Sequence, residues 1–189
     1  MKLTLKNPEL SHLKGCIDKT LNFVGGPDLP YYLVSTKVLL SCTGKDLSFA
    51  GDVLFSDLQG YPNEFSFITI NESARSDLKR TLDAGLQYFF MKGQRITGVE
   101  ILEETVESHS QTKLNWSLTS DIAVIFTLTH GVIVISKLSH HDEALRVLHG
   151  PELGSIEIPA TQNFFETDLF ERVTTTRRLI NLETAMERN

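Results

Sequence analysis

The segment from Ile122 to Ile135 constrains the fold more than any other part of the chain. Ile122, Val124, Phe126 and Leu128 fall on one side of an extended strand, and Ala123 and Ile125 fall on the other. Val132 to Ile135 is apolar throughout. A strand that is apolar on both faces needs cover on both faces, so it belongs in the middle of a layered structure. His130-Gly131 interrupts the run, and glycine supplies the positive φ that a tight hairpin turn requires. Asp121 to Ser136 is therefore expected to be a central β-hairpin. Thr127, Thr129, His130 and Gly131 also keep the run short of the ~20 apolar residues that cross a bilayer as a helix.

Most of the remaining chain reads as further strands. Leu47, Phe49, Gly51, Val53 and Phe55 alternate with Ser48, Ala50 and Asp52, a period of two that marks a half-buried strand. Gly51 in its middle suggests a bulge or bend. Strands are also expected at Ile17 to Val24, Tyr31 to Cys42, Glu64 to Ile70, Leu86 to Met91, Ile96 to Val106, Lys113 to Leu118 and Ile156 to Ile158. Thr43-Gly44-Lys45-Asp46 is a turn, and Ser56 to Asn63 reads as a polar loop. Asn7 and Pro8 open a short helix that Gly15 stops. Ala74, Leu78 and Leu82 predict a helix over Asn71 to Ala84. Ser139 and Asp142 form a Ser-x-x-Asp cap ahead of a helix to His149. A further helical turn is expected at Asp168 to Arg172, with Val173 to Thr176 too β-branched to extend it.

The class is thus α+β: mainly antiparallel sheet with a few short helices packed on it. The whole chain, 1–189, reads as one domain. The alternative is two β subdomains, 1–70 and 86–160, joined by a helix at 71–85. Lys-Gly pairs before strands at Lys14-Gly15 and Lys92-Gly93 are the thin basis for such a repeat.

Charge narrows the partners. There are 24 acidic and 18 basic residues, for a formal charge of −6. The basic residues are scattered, which argues against nucleic-acid binding, because that requires clustered Lys and Arg to neutralise phosphates. An acidic surface can instead steer a basic partner. Met1 to Leu10 has neither an apolar core nor an Ala-x-Ala site, and no membrane partner is expected. Cys16 and Cys42 are too few for a disulfide framework. The expected setting is cytoplasmic.

Three groups of residues carry candidate chemistry. His140, His141 and His149, near Asp142 and Glu143, offer imidazole and carboxylate ligands for a transition metal. On the predicted helix, however, His141 and His149 would be about 12 Å apart along the axis, which is too far for one ion. No metal or other cofactor is therefore expected. Asp52, Asp57, Tyr61, Asn63 and Glu64 gather carboxylates, an amide and a phenol near one turn, where paired carboxylates can do acid–base work if one is desolvated. Tyr31, Tyr32, Tyr61 and Phe164-Phe165 are aromatics beside loop residues, as interface anchors often are. No Gly-x-Ser-x-Gly elbow, phosphate-binding loop or dinucleotide fingerprint is present.

Two readings follow. One is a non-catalytic binding protein that neutralises or scaffolds a protein partner, or pairs with a second copy. The other is a small hydrolase or metal- or ligand-binding enzyme that uses the 52–64 carboxylates or the 140–149 histidines. The absence of catalytic spacing favours the first.

Overall fold

The computed structural model describes residues 1–26, 29, 34–58, 61–84, 87–88, 91–111, 113–158 and 171–188. The fold is α+β, mainly antiparallel sheet with short helices. Along the first half run β1 (Lys2–Leu3), α1 (Asn7–Lys14), β2 (Leu21–Gly25), β3 (Val34–Ser35), β4 (Lys37–Cys42), β5 (Lys45–Leu58), β6 (Tyr61–Glu72) and α2 (Arg75–Asp83). The second half adds β7 (Gln87–Tyr88), β8 (Ile96–Ser110), β9 (Lys113–Leu128), β10 (Val132–Lys137), β11 (Leu145–Gly150), β12 (Glu171–Asn181) and α3 (Leu182–Glu187). One sheet has the order β12-β8-β9-β10-β11-β3, with β1 parallel to β9; the other has the order β6-β5-β4-β2-β7.

The apolar hairpin lies inside the larger sheet, between β8 and β11. Its register pairs Phe126 with Ile133 and Val124 with Ile135, and Gly131 turns it at φ +104. Val124, Phe126, Leu128, Ile133 and Ile135 enter a core shared with Leu40, Leu47, Phe49 and Ile70 of the smaller sheet. Phe49 and Phe126 meet edge to face across it, with centroids 6.1 Å apart. Full burial of a side chain such as Phe126 contributes about 1.5–3 kcal/mol. Leu10 and Leu13 of α1 and Leu182 and Ala185 of α3 join the same core. Ala123, Ile125 and Val134 form a second cluster with Leu102, covered by Leu153, Ile156 and Ile158. Both faces are covered, as the apolar pattern requires.

The hairpin's first arm and the strand expected at Lys113 to Leu118 are one continuous strand of 16 residues. Within it, Leu102 pairs with Ala123 and Glu103 with Asp121, which leaves Ile122 as an extra, bulged residue. The bulge marks a change from apolar to charged packing. Glu103 accepts from Arg178 Nε (2.7 Å) and from Arg188 Nη1 (2.6 Å). Arg188 also donates to Asp121, whose Oδ2 accepts the Leu5 N–H at 2.8 Å. Burial pushes the Asp121 carboxyl up, against the pull of Arg188 and of that N–H.

Several expected elements are different. Ser139 to His149 is not a helix: after bends at His140 and His141, Leu145–Gly150 pairs with the whole of β10. Leu145 and Val147 are both fully buried, a period of two, and an open apolar β10 edge outweighs a weak helical stripe. The supposed capping pair makes turn bonds instead, from the His141 N–H to Ser139 Oγ and from the Ala144 N–H to Asp142 Oδ1. The 71–84 helix is shorter, because Asn71 and Glu72 complete β6 opposite Ser48 and Leu47. The strand expected from Ile17 begins at Leu21, after turns in which Asp18 takes φ 67. Asp168 lies outside the described residues, and Arg172 belongs to β12, paired with His109. Ile156 to Ile158 is not a strand; it follows a 3-10 turn at Leu153–Ser155. Lys6, not Asn7, caps α1, and its N–H donates to Glu9 Oε2 at 2.7 Å. Cys16 and Cys42 are buried and unbridged.

Candidate functional site

The segment read as a polar loop is the end of a long two-stranded ribbon. β5 and β6 pair without a register shift from Leu47↔Glu72 to Leu58↔Tyr61. β4 accompanies β5 only as far as Lys37↔Ala50. Beyond that point β5 has β6 on one side and, among the described residues, no strand on the other. Directly opposed residues share a face of an antiparallel pair. Asp52 and Leu54 therefore share a face with Phe67 and Phe65, while Val53 and Phe55 share the other with Ser66 and Glu64.

One face is anchored inward. Phe65 is buried with Leu3 and Leu118, and Phe67 and Trp116 pack against them. Leu54 and Phe55 are not buried. Leu54 is 42% exposed and Phe55 is 73% exposed. An aromatic side chain so open to water on a regular strand leaves most of its hydrophobic transfer energy unrealised in this chain alone.

The ribbon is fastened by the connection between β10 and β11. The Ser66 N–H donates to the His140 carbonyl (2.7 Å), Ser66 Oγ donates to the Ser139 carbonyl (3.0 Å), and the His141 ring donates from Nδ1 to the Glu64 carbonyl (2.6 Å). Gly51 is needed here, although it makes no bulge. A Cβ on it would lie 2.0 Å from the Glu143 carbonyl oxygen, so only glycine lets that backbone cross β5.

Beneath this fastening sits a buried ionic centre. Lys137 is 4% exposed, and its ammonium donates to three acceptors: the Ser66 carbonyl, Ser120 Oγ at 3.2 Å and His140 Nδ1 at 3.2 Å. Three donors meet three acceptors, as a buried ammonium requires. His140 passes the contact on, from Nε2–H to Glu104 Oε1 at 2.9 Å. Arg177 Nε holds the other Glu104 oxygen at 2.7 Å. Burial lowers the Lys137 ammonium to about 7, with Glu104 and Asp121 opposing it. Burial likewise lowers His140, against its bond to Glu104. Burial pushes Glu104 up, but hydrogen bonds from His140 and Arg177 outweigh it and leave the carboxyl below its usual range. The centre rivets β6 to β9 and β10 and sets the attitude of the ribbon.

The candidate residues now have places. Asp52, Asp57, Tyr61, Asn63 and Glu64 all lie on the ribbon. Asp52 and Glu64 are on opposite faces, so they do not form a carboxylate pair. His140 is in the ionic centre, His141 lies beside Phe65 with ring centroids 5.5 Å apart, and exposed His149 is in β11 opposite Ile133. The three do not converge, and among the described residues no group of three or more His, Cys, Asp or Glu side chains is placed to hold a metal ion. Three clefts, of about 790, 400 and 370 Å³, stand out among the described residues, and Asp52, Glu64, Lys137 and His140 line none of them. Tyr31, Tyr32, Phe164 and Phe165 lie outside the described residues.

Sequence reasoning missed Phe55, Lys137 and Glu104. One signal for the ribbon was available: from Asp46 to Ala74 there are five acidic residues and no Lys, Arg or His. No family description, curated protein or solved structure matches this chain.

Proposed function

We propose that this chain is a non-catalytic protein-binding module that docks through the outer end of the β5–β6 ribbon. The observation that carries the reading is Phe55, 73% exposed on a regular strand whose neighbour Leu54 is also exposed. Interfaces use such residues as anchors. The scaffold suits the role, because the ribbon is held rigidly at Ser66 and Gly51 and its end projects past β4. The hydrolase reading has no comparable support, with Asp52 and Glu64 on opposite faces.

A photo-crosslinking amino acid at Leu54, in the full chain in its native host, tests this. A discrete adduct with another polypeptide is expected. Phe55→Asp should weaken it about tenfold to a hundredfold, which is the loss of about 1.5–3 kcal/mol of buried apolar surface. The same substitution should leave stability within about 0.5 kcal/mol, because it is made at an exposed site. No adduct, or an adduct indifferent to Phe55→Asp, overturns the reading.

A further inference from the structure

We infer that the free edge of β5, from Asp52 to Asp57, is a strand-addition site for an extended, basic segment of another protein; this rests on the ribbon being the docking surface. The hydrogen-bond directions carry the argument. In an antiparallel pair, residues alternate between those that bond their partner and those that turn N–H and C=O away from it. Ser66 turns away from β5: its N–H goes to His140 and its carbonyl to Lys137. Val53, its partner, does the same, because its N–H is taken by its own neighbour's carboxylate, Asp52 Oδ1, at 2.8 Å. By the same alternation Phe55 and Asp57 present their N–H and C=O groups to the open side of β5.

The two edges of the ribbon are treated differently. On β6 several outward positions are answered. The Ile70 N–H is held by Glu9 Oε1 at 3.0 Å, Ser66 by His140 and Lys137, and the Glu64 carbonyl by His141; Pro62 has no N–H to offer. Those are the devices by which proteins blunt an edge. β5 from Gly51 to Leu58 has no Lys, no Pro and no bulge. Beyond Gly51, where the Glu143 backbone crosses, the cover found among the described residues is the Asp52 carboxylate on the Val53 N–H, which an incoming carbonyl can displace. A strand laid there meets a ladder with the exposed Phe55 and Leu54 beside it, the usual pairing of main-chain affinity with side-chain specificity.

Charge selects the occupant. From Gly51 to Phe67 the ribbon holds Asp52, Asp57 and Glu64 and no Lys, Arg or His, and exposed Asp142 and Glu143 follow on the connection that crosses Gly51. A second copy added edge to edge would set one acidic ribbon against another without a basic residue between them. A segment with Lys or Arg at alternate positions puts its cations on one face of the ladder, against the carboxylate of that face.

The Leu54 crosslinking experiment, repeated in two variants, tests this. Val53→Pro removes an outward N–H and leaves the bonds to β6 untouched, so the ribbon stays folded while strand addition is blocked. The adduct should fall about tenfold or more. The triple variant Asp52→Asn, Asp57→Asn, Glu64→Gln should weaken it and flatten its salt dependence. If Phe55→Asp removes the adduct but Val53→Pro does not, the docking surface stands and strand addition is overturned. If neither does, both are overturned. An adduct of two copies of this chain overturns the basic partner. As a direct readout, an octapeptide of alternating Lys and Val at low salt should slow hydrogen exchange of the Phe55 amide, and a Glu-Val octapeptide should not. Equal protection by both, or none by the Lys-Val peptide, overturns the charge selection.

Discussion

Lys137 offers the most demanding check on the structure, because its consequence is a pH dependence of known sign. The ammonium is buried, and burial lowers it to about 7 from an ordinary value of 10.5. Between pH 7 and pH 10.5 the unfolded chain therefore holds a proton that the folded chain releases. Stability must rise with pH across that window, because the unfolded state binds more protons there. Below pH 7 the folded chain carries the full cost, about 5 kcal/mol relative to the neutral amine. From pH 7 to pH 9 about 2 kcal/mol of that cost disappears.

Lys137→Met isolates the effect. Methionine fills much the same volume without a charge, but it leaves the Ser66 carbonyl, Ser120 Oγ and His140 Nδ1 without their donor. That imposes a loss of about 1–3 kcal/mol for each acceptor left dry. The loss does not follow the Lys137 titration, so the difference between the two proteins carries the titration alone. Urea unfolding of both at pH 7, 8 and 9 measures it. The wild type should gain about 2 kcal/mol on the variant between pH 7 and pH 9. Parallel curves would refute the claim that the ammonium is desolvated, and a gain toward low pH would refute the sign.

Glu104→Gln should cost about 3 kcal/mol in the same assay, because it leaves Arg177 and His140 facing a neutral amide in a buried site. Its contribution should vanish as pH falls through the depressed Glu104 value, so the two proteins converge in acid. Gly51→Ala should cost about 1–3 kcal/mol by forcing Glu143 off β5. It should also raise amide exchange at Ser66, whose N–H is bonded to the same connection at His140; unchanged exchange would show that the contact at Gly51 does not hold the ribbon down.

What could be read in the sequence was whatever depends on local period. The central hairpin, its Gly131 turn and the alternating β5 strand follow from apolar spacing, which acts within a few residues. What could not be read depends on which strand edge lies open beside a segment. Ala144, Leu145 and Leu148 satisfy a helical stripe as well as Leu145 and Val147 satisfy a strand, and only the presence of β10 decides between them. The candidate site failed for the same reason. The carboxylates of 52–64 are neighbours in sequence, but their chemistry depends on the face each occupies, and register puts Asp52 beside Phe67 and Glu64 beside Phe55. Nothing local in the sequence marks Lys137 as buried, because a lysine is buried only where acceptors wait for it. Two of those acceptors come from residues 66 and 120, distant in sequence, and the third from His140 on the β10–β11 connection. Their agreement at one ammonium explains why β6 is fixed at Ser66, while the strand paired with it has, among the described residues, no neighbour beyond Ala50. If the other edge is the docking edge, fixing β6 is what holds it in place to receive a strand.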